Sequence, residues 1–359
     1  MHNFFFVNQR KLINQGLHLQ YIKNKTDPVW FNMHAKIPRA QDFLGRSGGF
    51  YDPYGRHNNI NPVIAIPTAD NSNKEFDQIC DETAYKIKEI IINTDRKILL
   101  SWSGGIDSTC VLVALLKANI PKERFLILLT KESVEENKFF FDQFIANQLS
   151  YADTLEFCTK NSDYESYYHI SGEFGDQLFG SKLMCDFHEH NNLYRDTRWA
   201  SVTDIIKKYL FGDYLIGSFF IHQFTNSYKT LNLNIETTSD FFWWLNFNFK
   251  WLDIYVRRCF EFDVFGQNKI KNNDVLKIYL ENSLPFFNDV EFQKWSIKQI
   301  GNTQIRNENK EVAKKYIFDF DKNADYYQYK RKENSSPKIL KYTPNDIPLY
   351  IENNLIMVF

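Results

Sequence analysis

A chain of 359 residues, 43% hydrophobic and 24% charged, is long enough for one large or two modest domains with sizeable cores. A formal net charge of −1 gives no global drive toward nucleic acid. Five cysteines, an odd number with no CxxC pair, argue against a disulfide framework. Met1–Val7 is apolar but too short for a signal peptide or a span, and Phe241–Leu252 is interrupted by Asn and Lys, so a cytoplasmic protein with no membrane partner is expected.

In chain order, residues 1–75 form an aromatic segment with turn signals at Gly48–Gly49, Pro53 and Asn58–Asn61, expected to be short strands and loops. Asp70–Asn73 is a polar linker. Phe76–Ile92 has helical periodicity, with Ile79, Ala84, Ile87 and Ile91 on one face. Strands and helices then alternate: strand Lys97–Leu100, helix Ser108–Ala118, strand Phe125–Thr130, helix Glu135–Asn147, and strands Thr154–Cys158 and Tyr167–Ile170. That alternation predicts an α/β fold with a parallel sheet covered on both faces. Residues 182–330 are mainly helical and aromatic, with Phe241–Leu252 a buried helix or aromatic wall. Residues 331–359 form a polar tail with Pro337, Pro344 and Pro348, ending in a strand, Leu355–Phe359. The pair of histidines in Asp186–His190 (DFHEH) is read as a polar surface loop, because no nearby cysteine pair completes a zinc site.

Residues 101–109, SWSGGIDST, join the first strand to the helix after it. Gly104 and Gly105 let backbone approach an anion, and Ser103 and Ser108 add hydroxyl donors at the start of a helix. Asp107 would repel a bare phosphate, so its presence argues for a bridging Mg²⁺. This is not the GxxxxGK[ST] loop, since it has no lysine. It resembles the SGGxDS loop of the ATP pyrophosphatase (PP-loop) superfamily. That resemblance implies ATP cleaved to AMP and pyrophosphate, with Ser101, Ser103, Gly104, Gly105, Asp107, Ser108 and Leu128 lining the nucleotide site.

A second segment, Tyr168–Ser181 (YHISGEFGDQLFGS), resembles the SGExxDELFGGY segment of asparagine synthetases and β-lactam synthetases. The resemblance implies Ser171 and Gly172 on the nucleotide, Glu173 beside the acyl-adenylate and Asp176 with Asp107 on Mg²⁺. Gln177 stands where that family has a second acid and Ser181 where it has a second glycine, and 65 residues separate Ser103 from Tyr168. A fainter likeness runs through Leu284–Asp289 (LPFFND), the periodic stretch Val290–Ile300, and Asn307–Asp319 (NENKEVAKKYIFD). It implies a catalytic lysine, best matched by Lys315, with Lys314 and Lys310 as rivals.

The resemblance spans residues 76–330, as a synthetase domain without a glutaminase. The chain starts Met1-His2-Asn3, and residues 1–75 are too few for a glutaminase, so no ammonia is expected to be made on it. The function implied is an AMP-forming ligase that adenylates a small-molecule carboxylate. Amide formation then uses ammonia, a separate glutaminase or amine-donor protein, or an amine. Two alternatives stay open. One is a nucleobase-modifying enzyme acting on tRNA or DNA through Arg195–Arg198 and Lys330–Lys332. The other is a degenerate nucleotide-binding scaffold, suggested by Gln177.

Overall fold

The computed structural model describes residues 46, 65–68, 73–154, 156–157, 166–180, 182–211, 214–251, 254, 281–307, 309–331, 350–352 and 355–357. Apart from Arg46 and 65–68, the expectations for residues 1–72 lie outside them. The described residues fall into two compact units. One holds those within 67–182 and 254–333, the other those within 1–66, 183–253 and 334–359.

The first unit is α/β. Its five parallel strands are β1 (Lys97–Ser101), β2 (Phe125–Leu129), β3 (Ser150–Asp153), β4 (Tyr167–Ser171) and β5 (Ser283–Pro285), in the order β3-β2-β1-β4-β5. Leu100 is paired with Ile127 on one side and with Ile170 on the other. The chain therefore leaves β1 toward β2 and β3, then returns to β1's other edge as β4. Strand order reverses between β1 and β4, the place where open α/β sheets bind ligands. The loops after these two strands are the two Ser/Gly motifs.

Among the helices of this unit are α1 (Phe76–Ile92), α2 (Ile106–Lys117), α3 (Lys131–Glu136), α4 (Gly175–Phe179), α5 (Val290–Lys298), α6 (Glu311–Asp321) and α7 (Ala324–Tyr329). Helix α2 is buried from Ile106 through Leu115 apart from Asp107, because α1 and α6 both pack on it. Cys80 of α1 and Cys110 of α2 meet with their sulfurs 3.9 Å apart, both fully buried. Each buried aliphatic side chain of this layer contributes about 1.5–3 kcal/mol. A further apolar cluster joins Leu99 of β1, Leu128 of β2 and Phe157.

Two sequence expectations in this unit are corrected. The strand expected at Thr154–Cys158 lies earlier, at Ser150–Asp153, with Thr154 already outside it and bonding back to the Leu129 carbonyl at 3.1 Å. The helix expected at Glu135–Asn147 is broken at Asn137, whose non-helical backbone ends α3 and whose side chain accepts from the Phe140 amide to start a new turn. Ser283–Pro285, three residues without periodicity, is a fifth strand that the sequence pattern does not disclose.

The second unit is helical and aromatic. Thr203–Phe211 packs on Tyr214–Lys229. Thr238–Trp244 continues through a π-helical stretch to Lys250, with Phe241 through Phe249 all buried. The aromatic helix expected there is present. The DFHEH segment is helical, within Lys182–Asn191, and not a surface loop. His188 is buried and meets the Thr238 hydroxyl at 2.8 Å. Burial, helped by Arg195, lowers its pKa to about 4. Tyr350–Glu352 and Leu355–Met357 form an antiparallel pair. Among the described residues, no helix is long and apolar enough to cross a membrane.

Candidate functional site

The β1–α2 loop is built on its own side chains. Trp102 donates its amide to the Leu128 carbonyl at 2.8 Å and its indole N–H to Thr109 at 3.1 Å, which fixes the loop over the helix start. Ser108 accepts from the Ser103 amide at 3.1 Å, and the two hydroxyls lie 3.0 Å apart. Gly104 has φ +77°, and a side chain there would overlap the Ser133 carbonyl. Gly105 caps α2, so the free amides of α2's first turn open onto the loop.

The β4–α4 loop lies against the first. A Cβ on Gly172 would stand 2.8 Å from the Ser108 amide nitrogen, and one on Gly175 would stand 2.5 Å from the Asp107 carboxylate. These glycines are what allow the two loops to touch. Phe174, between them, is left-handed at φ +72° with its ring buried, a conformation that costs about 1–3 kcal/mol and is kept only where packing imposes it.

Lys310 completes the cluster. Its Nζ lies 2.6 Å from Asp176 Oδ1 and also bonds Asp107 Oδ2, with its side chain only 2% exposed. It precedes α6 in a left-handed conformation, φ +49°, and the Asn307 side chain accepts from its amide at 3.2 Å. The second oxygen of Asp107, Oδ1, is buried without a hydrogen-bond donor.

The expected site residues divide into two groups. Ser103, Gly104, Gly105, Asp107, Ser108, Ser171, Gly172 and Asp176 belong to the two touching loops and to the strand end and first helical turns that flank them. Glu173 sits half-buried in the second loop, beside Gly172. Ser101 meets His169 at 2.9 Å, Oγ to Nε2, across β1 and β4. Leu128 lies in the apolar cluster of the sheet and reaches the loop through its carbonyl. Lys315 is not brought to the aspartates. It is 66% exposed and pairs with Asp319 at 2.7 Å, one turn along its own helix. Lys314 is buried but pairs with Glu311 at 3.0 Å. Of the three lysines, the residue at the carboxylates is Lys310, because it stands before the helix, where a left-handed turn redirects it.

The second basic cluster is also revised. Lys330, which the nucleobase-modifying alternative assigns to nucleic acid, is 9% exposed and paired with Glu136 at 2.8 Å.

Two supporting residues were given no role by the sequence motifs. Arg306 is fully buried and donates to the Leu178 carbonyl at 2.7 Å, the Ser296 hydroxyl at 3.1 Å and the Ser296 carbonyl. It ties α4, and so the second loop, to α5. Asn307 sets the turn that presents Lys310. No histidine, cysteine or glycine pattern marks either one.

Comparison with protein-family models, with curated proteins and with solved structures gave no match.

Proposed function

We propose that this chain is an ATP-dependent, AMP-forming ligase of the PP-loop type, which adenylates a carboxylate and passes the acyl group to ammonia or an amine. The observation that carries this reading is the Lys310 ammonium shared by Asp107 and Asp176 where the two loops meet. A triphosphate brings about four negative charges, and a loop without a lysine needs cations from elsewhere. The α2 amides and the hydroxyls of Ser103 and Ser108 bind the phosphates as neutral donors.

Asp107 and Asp176 fit Mg²⁺, since both offer hard oxygen ligands and Asp107 Oδ1 is buried without a donor. When bound, the ion neutralises charge on the departing pyrophosphate. Lys310 stabilises the charge that grows on the α-phosphate oxygens, a role that strengthens in the transition state. Glu173, on the second loop, orients the attacking amine and takes its proton.

The test is product analysis. The full chain is given ATP, Mg²⁺, a panel of carboxylates and ammonia or simple amines. AMP and pyrophosphate, formed in step with amide, are expected. ADP and phosphate as the stoichiometric products overturn the reading.

A further inference from the structure

The loop after β1 is flanked by a second ion pair. Glu136 is the last residue of α3, and its Cβ lies 3.0 Å from where a Cβ on Gly104 would stand. Its carboxylate oxygen lies 3.3 Å from the corresponding point at Gly105. Lys330 meets that carboxylate at 2.8 Å, with 9% and 14% of the two side chains exposed. Lys330 follows α7 directly. The same helix places the buried Tyr326, whose hydroxyl donates to the Gly104 carbonyl at 3.1 Å.

Helices α6 and α7 pack together across a turn set by Lys322, left-handed at φ +57°, and by Asn323, which accepts from the Tyr326 amide at 3.1 Å. This helical hairpin therefore delivers two ammonium groups to one anion-binding loop, Lys310 from its start and Lys330 from its end.

An ion pair so removed from water adds little net stability, because desolvation offsets the attraction. Tyr326 already fastens the hairpin to Gly104. What the pair adds is a cation, held by a carboxylate, beside the glycines that receive the anion. A polyphosphate on the loop is repelled by Glu136 and attracted by Lys330.

We propose that Lys330 is a polyphosphate-binding residue, which exchanges Glu136 for phosphate oxygens when ligand binds, and that Glu136 restrains it. This rests on the nucleotide reading above and assigns that site a cation absent from both sequence motifs.

The test is titration calorimetry of the full chain with inorganic pyrophosphate in the presence of Mg²⁺, and with adenosine. The natural chain binds pyrophosphate. Lys330→Met weakens that binding by about tenfold, the scale of one charge-assisted hydrogen bond. Glu136→Gln, which keeps the shape but removes the competing charge, tightens it by about threefold or more. Adenosine binds all three proteins alike. A purely structural pair predicts weaker binding in both variants, and that result overturns the proposal. Unchanged binding in both overturns the role of Lys330 and leaves the nucleotide reading standing. A natural chain that binds no pyrophosphate overturns both. If Lys330→Met does not fold, the sign of the Glu136→Gln change decides alone.

Discussion

The two units bury polar groups in different ways. In the helical unit the partners lie nearer in sequence: Asp240 meets Thr237 at 2.8 Å within one helix cap, and His188 meets Thr238, 50 residues on, at that same helix start. In the α/β unit they are distant. Lys310 reaches carboxylates 203 and 134 residues away, and Arg306 a carbonyl 128 residues away. A local partner caps a helix and stabilises it in place. Distant partners that converge on touching loops hold charge against charge away from water, which is an expensive way to gain stability. Charged groups drawn from distant parts of the chain onto two touching loops therefore set the candidate site apart from a short-range helix cap.

The strongest way to break that contrast is to remove the lysine. Lys310→Ala is expected to lower turnover by about 10²–10³, the scale of losing one main electrostatic stabiliser, with Kd for ATP less affected. Lys315→Ala, whose partner is four residues away on an exposed face, leaves turnover and Tm unchanged. Equal effects in steady-state kinetics would erase the distinction between the two.

Next is the strut behind the second loop. Arg306→Met removes the guanidinium that joins the Leu178 carbonyl to Ser296 and loosens α4 from α5, and it is expected to lower stability by about 2–4 kcal/mol in denaturant unfolding. A loss of activity without loss of stability would move Arg306 from support to chemistry.

The smallest effect tests the scaffold. His188 is neutral when folded, with a pKa of about 4, and takes up a proton on unfolding below about pH 6.5. The unfolded state then binds more protons, so stability falls as pH drops from 6.5 toward 4, by about 2–3 kcal/mol at most. Urea midpoints across that range should show the fall, and His188→Gln should flatten it. A midpoint independent of pH would mean that the imidazole is accessible in the folded chain.

Much of the α/β unit was legible because its signals are periodic or local. Helix α1 matches its apolar spacing, and both loops announce themselves by serine and glycine after an apolar run. The lysine was not, because nothing in Asn307–Asp319 separates three lysines by type. What separates them is the left-handed backbone at Lys310 and the Asn307 side chain that sets it, and neither has a period. The short third strand and the three-residue fifth were misplaced or missed for a related reason: pairing with a neighbouring strand defines them more than their own pattern does. In DFHEH, composition suggested solvent while helical spacing put His188 on the buried face.

The cysteines give the molecule a built-in clock. Cys80 and Cys110 are sealed between α1 and α2, and Cys185 is buried in the other unit. A thiol reagent reaches such a sulfur only when the layer around it opens, so the labelling rate at each cysteine reports the opening free energy of its surroundings. Mass-resolved labelling at Cys110 and Cys185 would time the two units separately. Ligand that protects Cys110 and leaves Cys185 unchanged would place its binding energy in the α/β unit without any assay of turnover.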